Sequence, residues 1–168
     1  MDDVAKTVGK GRSSLYYYYK NKEEVWDAVI NIELLEVLGE MAKAVERASS
    51  TEDKIRAFCA TKIKMMRKKR ALYHITTNTP ASDNRAATRD ERRRQYLKKE
   101  SVLLNQILAD GMRAGELKPL DKKAQDVLVF VLLSGLHGLQ KEMDPEKDHN
   151  IEPAVNTLSH MIIHGLKT

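Results

Sequence analysis

The stretch SSLYYYYKNKEEV, residues 13–25, decides how the N-terminal part of this chain is interpreted, because it places four consecutive tyrosines in a chain that has only six. Successive helical residues point about 100° apart, so four in a row cannot all face one core, and at least two must be exposed. Asn21, followed three residues later by Glu24, forms a variant of the capping box. A helix is therefore predicted to begin near Lys22.

The residues just before the tyrosines predict two short helices joined by a glycine-containing turn. The segment DDVAKTVGKGRSSLYYYYKNK has helix-turn-helix spacing, with the turn at residues 9–11 and a second helix from about Arg12 to Tyr18. Gly9 suits the turn because the chain must leave the first helix in a left-handed conformation. Leu15 and Tyr19 are four residues apart, so we expect both to face inward.

Positive charge is concentrated in the same segment. Five basic residues and no acidic residue lie between Val4 and Lys22, whereas the whole chain has a net charge of only +5. A tyrosine ring packs on sugar or thymine methyl groups while its hydroxyl reaches a phosphate oxygen, and an arginine reads base edges. This combination predicts a surface that contacts the DNA major groove.

Composition indicates a helix-rich globular protein. Of the 168 residues, 42% are hydrophobic, 32% are charged and 5% are aromatic, with 8 glycines and 4 prolines. The single cysteine, Cys59, cannot form an internal disulfide, and neither it nor the pair His160 and His164 has the spacing of a metal site. We predict no metal and no cofactor.

No sequence motif indicates an enzyme or a membrane protein. The chain lacks a glycine-rich phosphate loop, a nucleophile elbow and a paired-carboxylate motif, so no enzymatic activity is predicted. No apolar run is long enough to span a bilayer, and residues 1–10 lack the apolar centre of a secretion signal. We therefore expect a cytoplasmic protein without a membrane partner.

Beyond Lys22 the apolar periodicity predicts helices and no strand, so the expected fold class is all-α. The first helix is predicted to reach about Ala48, with Val25, Val29 and Ile32 on its apolar stripe. Five further helices are predicted: one capped by Ser50 or Thr51, a short one over 71–77, a long one from Asp83 or Asn84 to the Gly115 region, and two over 121–143 and 151–167. Glu100 is expected on an exposed, salt-bridged face of the long helix.

The segment VAKTVGKGRSSLYYYYKNKEEV resembles the DNA-binding segment of the TetR family of bacterial transcriptional regulators, whose pattern runs approximately I-A-x-x-A-G-V-S-x-G-T-L-Y-x-Y-F-x-S-K-E-x-L. The matching residues are Val4, Ala5, Gly9, Leu15, Tyr16, Tyr18, Lys20, Lys22, Glu23 and Val25. A second, weaker match is ILADGMRAGELKP, residues 107–119, because a helix ending in G-x-x-x-G-E-L is common in the family's regulatory domain. With the order of helices, the resemblance extends over essentially the whole chain.

This resemblance implies a helix-turn-helix segment over residues 1–21 and a helical ligand-binding and dimerisation domain over residues 22–168. It implies a homodimer formed through the last two helices, a DNA operator and a small-molecule inducer of apolar or amphipathic character. The family's DNA contacts, carried over position by position, correspond to Lys10, Arg12, Ser13, Ser14, Tyr16, Tyr17, Tyr18 and Lys22. Candidate ligand-binding residues in the second domain are Phe58, Met65, Met66, Tyr73, His74, Tyr96, Asn105 and His137.

The sequence departs from the family pattern at three places. Lys10 stands where the family usually has valine, and Ser13 replaces a common glycine. The family also has a further helix ahead of the MDDVA segment. We expect either that the reading frame continues upstream of Met1 into such a helix or that further residues of the protein precede Met1; the remaining alternative is a truncated variant that binds DNA weakly. The alternative function is that of a TetR-like helical protein that binds a hydrophobic ligand or a protein partner without binding DNA.

Overall fold

The structure of the chain is a computed structural model that describes residues 1–9, 11–69, 83–142 and 152–166. Within these ranges every regular element is a helix, which confirms the all-α fold class. The helices are α1 (Asp2–Thr7), α2 (Arg12–Tyr18), α3 (Lys22–Glu46), α4 (Thr51–Lys68), α5 (Asp83–Arg113), α6 (Lys122–Glu142) and α7 (Glu152–Leu166). The short helix predicted over 71–77 lies outside the described residues.

The chain divides into two compact units, Met1–Glu36 and Val37–Thr168, and the division falls inside α3. In the first unit, α1 ends where Val8 donates its N–H to the Val4 carbonyl at 3.1 Å. Gly9 follows with a φ of 64°, a left-handed conformation that costs a residue with a side chain about 1–2 kcal/mol. The predicted left-handed glycine at the turn is therefore confirmed.

The beginning of α3 carries the predicted cap, with one difference. The Asn21 Oδ1 accepts a hydrogen bond from the Glu24 N–H at 2.8 Å, as the pattern predicted. The Glu24 carboxylate accepts from the Lys20 N–H at 2.8 Å, one residue earlier than in a standard capping box. Both bonds use donors that the helix itself cannot satisfy, so this start is fixed by local sequence.

The predicted apolar stripe of α3 is wrong in register. Val29 and Ile32 are exposed, although both were expected to supply the buried face. The buried positions are Ile30, Leu34, Val37, Met41 and Val45, which follow one another at helical spacings of three and four. Because α3 carries apolar side chains on more than one face, periodicity alone fits either register.

In the second unit α4 lies at the centre of the packing. It packs against α5, α6 and α7, and α5 also packs against α6. Fully buried side chains from each of these helices meet in one core, where they exclude water and supply most of the stability of the unit. The largest apolar side chains among them are Ile55, Phe58, Ile63, Leu104, Leu136 and Val155.

The caps predicted for α4 and α6 are present. Ser50 Oγ accepts from the Asp53 N–H at 3.1 Å, and Asp121 Oδ1 accepts from the Ala124 N–H at 2.7 Å. Such caps stabilise a helix by about 1 kcal/mol each.

The segment that follows α5 explains the G-x-x-x-G-E-L pattern. Gly111 lies against Thr51, since a Cβ added to this glycine would stand 2.5 Å from Thr51 Oγ1. Gly115 has a φ of 74° and so allows the chain to leave the helix. The Glu116 carboxylate then accepts the Thr51 N–H at 2.7 Å, and Leu117 is buried. Each position of the pattern helps to join the end of α5 to the beginning of α4.

Candidate nucleic-acid interface

The row of tyrosines on α2 is largely exposed. Tyr17 is 82% exposed, Tyr18 is 72% exposed and Tyr16 is 39% exposed, whereas Tyr19 and Leu15 are half-buried. The rings of Tyr17 and Tyr18 meet edge to face, with centroids 5.0 Å apart. The structure therefore agrees with the expectation that Leu15 and Tyr19 face inward, and it leaves three aromatic rings on the surface.

Arg12, the first residue of α2, is held by two neighbours. Its Nε lies 3.1 Å from Asp2 Oδ1 and its Nη1 lies 3.4 Å from Asp2 Oδ2. The guanidinium carbon also lies 5.5 Å from the centroid of the Tyr16 ring, within the range of a cation–π contact. Arg12 and Asp2 are both more than half exposed. This exposed cluster of Asp2, Arg12 and Tyr16 is called the Arg12 cluster below.

The other residues predicted to contact DNA are also on the surface where the structure describes them. Ser13, Ser14 and Lys22 are exposed, and Lys10 lies outside the described residues. Small hydroxylated side chains on α2 permit close approach to a groove, while Lys22, the first residue of α3, offers a cation beside it. In chemical terms this surface offers hydroxyls, aromatic faces and cations.

The residues predicted to bind a ligand are dispersed over the second unit. Phe58 and Tyr96 are buried in the core, and Met65, Met66 and Asn105 are half-buried. His137 is exposed on α6 in the single chain. Tyr73 and His74 lie outside the described residues.

The second unit contains a buried ion pair that the sequence patterns did not predict. Lys62 Nζ of α4 lies 2.5 Å from each carboxylate oxygen of Glu100 on α5, and the two residues are 3% and 0% exposed. The prediction that Glu100 lies on an exposed face is therefore wrong. Glu100 follows Tyr96 by four residues and precedes Leu104 by four, and this register with two buried residues was the available signal.

Burial raises the pKa of two groups in this region, Glu100 and Cys59. Desolvation raises the pKa of the Glu100 carboxyl above its ordinary value of 4.5, and the adjacent Lys62 ammonium opposes this effect. Burial also raises the pKa of the Cys59 thiol to about 12. Cys59 is therefore a protonated, unreactive core residue at neutral pH.

A groove of about 990 Å³ lies between α4 and α7. Arg56 and Lys64 line it from α4, and Asn156 and His160 line it from α7. No described residue among those predicted to bind a ligand lines this groove.

The outer face of α6 is apolar and exposed in the single chain. Val127, Phe130 and Val131 are each more than half exposed, and their spacing of three and four residues puts them on one side of the helix. Met161 of α7 is also exposed. The three side chains on α6 form one exposed apolar strip, which is typical of an interaction surface.

None of the helices in the described parts of the chain is both long enough and apolar enough to cross a membrane.

Comparison with known proteins supports the fold. No protein-family model and no curated protein matches the sequence. Solved structures match nearly all of it. The TetR-family regulator PfmR from Thermus thermophilus is 17% identical, with 99% of this chain and 88% of that chain covered and a TM-score of 0.66.

Two further solved structures have a similar fold over nearly the whole chain. A regulator of the TetR/AcrR family from Thermobifida fusca is 22% identical, with 98% of this chain and 85% of that chain covered and a TM-score of 0.67. A transcriptional regulator from Cytophaga hutchinsonii is 20% identical, with 100% of this chain and 88% of that chain covered and a TM-score of 0.72. The chain has the fold of the TetR-family transcriptional regulators.

Proposed function

We propose that this chain is a sequence-specific DNA-binding transcriptional regulator that acts as a homodimer and is released from DNA by a small molecule. The observation that carries the proposal is the exposed row of tyrosines on α2, directly after a turn with a left-handed glycine. A folded domain gains little in stability from rings that stay largely in water. DNA offers phosphates and base edges that these rings and their hydroxyls can contact.

In this proposal α2 is the recognition helix. Phosphate contacts come from the hydroxyls of Tyr16 and Tyr17 and from the cations of Lys10 and Lys22. The contacts inside the groove come from Arg12, Ser13, Ser14 and Tyr18. Because several phosphates are neutralised, affinity should fall steeply with salt.

The test is an electrophoretic mobility shift with the DNA upstream of the gene for this chain. The wild-type chain should shift this DNA, and Tyr17→Ala together with Arg12→Ala should abolish the shift. Tyr17→Phe separates two roles of the residue, because it keeps the ring and removes only the hydroxyl that would reach phosphate.

Lys99→Ala serves as the matched control for the loss of one positive charge, since Lys99 is exposed on α5 in the second unit. This variant should shift DNA like the wild type. A shift that survives the paired change in Tyr17 and Arg12 would remove α2 from the interface. Absence of any sequence-dependent shift by the wild type would favour the alternative, a TetR-like protein without DNA binding.

The exposed apolar face of α6 supports the homodimer. Phe130 is 70% exposed, and a second copy of the chain would cover it together with Val127 and Val131. The Phe130→Lys variant should sediment as a monomer in sedimentation-velocity ultracentrifugation, whereas the wild type should sediment as a dimer. Val102→Lys is the matched control, because Val102 is also an apolar residue that is more than half exposed, but it lies on α5. Equal loss of the dimer in both variants would argue against the α6 face.

Asn105 supports a ligand site in the second unit. Its Nδ2 donates to the Ser101 carbonyl at 2.9 Å, while its buried Oδ1 accepts no hydrogen bond from the described residues. A buried acceptor of this kind favours a ligand with an N–H or O–H group. A ligand weakens operator binding only if it prefers the conformation with the wrong spacing of recognition helices.

A thermal-shift screen of apolar and amphipathic compounds tests this part of the proposal. A compound that binds the folded chain raises its melting temperature, and the same compound should weaken the DNA shift. Asn105→Leu should reduce the response to compounds with a hydrogen-bond donor. An unchanged response in that variant would show that Asn105 is not a ligand contact.

A further inference from the structure

We propose that Asp2 is a specificity-determining residue of the DNA-binding segment, because its carboxylate holds the Arg12 guanidinium until DNA offers a better acceptor. This inference rests on the proposed function. It concerns a residue of α1 that does not belong to the predicted contact set, and it gives that residue a role in discriminating between DNA sequences.

In the Arg12 cluster, the Asp2 carboxylate and the Tyr16 ring both lie close to the Arg12 guanidinium. Arg12 Nη1 donates to Asp2 Oδ2 at 3.4 Å, and Arg12 Nε lies 3.1 Å from Asp2 Oδ1 as an ion pair. The oxygens of a carboxylate accept hydrogen bonds from a guanidinium, as the O6 and N7 atoms of guanine do in the major groove. Asp2 therefore engages one donor of Arg12, and its charge holds the guanidinium away from a base that Arg12 would read.

Because Asp2 and Arg12 are both exposed, Arg12 can exchange the Asp2 carboxylate for an acceptor on DNA. Asp2 and Arg12 are 57% and 65% exposed, so solvent weakens their attraction and a competing acceptor can displace the carboxylate. The ring of Tyr16 lies 5.5 Å from the guanidinium carbon, and this contact keeps a released Arg12 near the surface of α2. The exchange needs only a side-chain rotation.

Cognate and non-cognate DNA compete differently for Arg12. Non-cognate DNA offers Arg12 a phosphate, which replaces one exposed ion pair with another and brings the Asp2 carboxylate towards the negatively charged backbone. A cognate site offers a base edge with two acceptors together with the other groove contacts of α2. Asp2 thus disfavours the wrong sequences more than the right one, which is a repulsive contribution to specificity.

Fluorescence anisotropy with a cognate duplex and a scrambled duplex of equal length tests this inference on the full chain. Asp2→Asn should tighten binding to the scrambled duplex and steepen the slope of log K against log salt by about 0.9 per subunit. Across 50 to 200 mM salt that slope amounts to roughly a three- to four-fold change per subunit. Binding to the cognate duplex should change less, so the specificity ratio falls.

Two variants make the outcome decisive. Asp3→Asn changes the net charge equally at the neighbouring exposed position, and it should leave the specificity ratio near that of the wild type. In an Arg12→Gln background, Asp2→Asn should have no further effect on the ratio. Equal effects of Asp2→Asn and Asp3→Asn, or an unchanged ratio in Asp2→Asn, would overturn the inference while leaving DNA binding intact. Failure of the wild type to prefer any duplex would overturn the proposed function, and this inference with it.

Discussion

Replacing Lys62 by Met should be among the most damaging single changes in the second unit. Lys62 and Glu100 are both buried, and each carboxylate oxygen of Glu100 lies 2.5 Å from the ammonium. Lys62→Met preserves the length of the side chain but leaves a carboxyl group buried without its counter-charge. Breaking a buried pair from one side costs about 3–5 kcal/mol. Against a typical stability of about 5–15 kcal/mol, that is a large fraction.

Removing both charges should have a much smaller effect. In Lys62→Met with Glu100→Leu, two apolar side chains of similar volume replace the pair, and neither leaves a buried charge. The ring of Tyr96 lies 5.7 Å from the Lys62 ammonium, and a methionine sulfur makes favourable contacts with such a ring. We therefore expect the double variant to be close to the wild type in stability or above it.

Equilibrium unfolding in urea, followed by circular dichroism, measures these free energies. Lys43→Met is the matched control, because Lys43 pairs with Glu40 at 2.8 Å on the exposed surface of α3, where an ion pair contributes little. A cost below about 1 kcal/mol for Lys62→Met, similar to that of an exposed pair, would refute the reasoning. So would additive single-variant costs in the double variant, since additivity implies that the two charges do not interact.

Three further predictions concern the same unit. Gly111→Ala should destabilise it by about 1–3 kcal/mol, because the new Cβ would stand 2.5 Å from Thr51 Oγ1, and Thr51→Ala in the same chain should remove much of this cost in urea unfolding. Because the pKa of Glu100 is raised on folding, its contribution to stability is full below the unfolded value near 4.5 and falls as pH rises through the folded pKa. Unfolding free energies measured upward from that pH should show this decline, and Glu100→Gln should remove it. Cys59, with a pKa of about 12, should resist iodoacetamide at pH 8 in the folded chain and react once urea unfolds it, so rapid labelling of the folded chain would contradict its burial.

Features fixed by neighbouring residues could be predicted from the sequence. The caps at Asn21, Ser50 and Asp121 each depend on a side chain and a backbone N–H three residues apart, and all three are present. The turn at Gly9 depends only on the conformation of one residue, and it too is present. These features account for the correctly predicted beginnings of α2, α3, α4 and α6.

Features fixed by distant residues could not be predicted. The burial of Glu100 depends on Lys62, which arrives from another helix 38 residues away in sequence. Within α5, Glu100 stands among arginines and lysines that suggest an exposed face, and its spacing of four from Tyr96 and from Leu104 indicates the core. The register of α3 failed for the same reason, because Ile32 and Leu34 differ in what covers them and not in their own chemistry.

In the candidate DNA-binding site, too, some features could be predicted from the sequence and others could not. The exposure of Tyr17 and Tyr18 follows from helical geometry and was predictable, since four successive side chains cannot share one face. The pairing of Arg12 with Asp2 was not, because it joins two helices across a turn. Contacts of this second kind decide which donors are available to a partner.

The bond from the Thr51 N–H to Glu116 also has a consequence for the order of folding. It joins residues 65 apart in sequence, so the first turn of α4 receives this cap only after a long loop has closed. A peptide made of α4 alone would keep its Ser50 cap and still fray at its start. We predict that this long-range contact forms after the transition state, so that removing the Glu116 carboxylate should accelerate unfolding far more than it slows refolding.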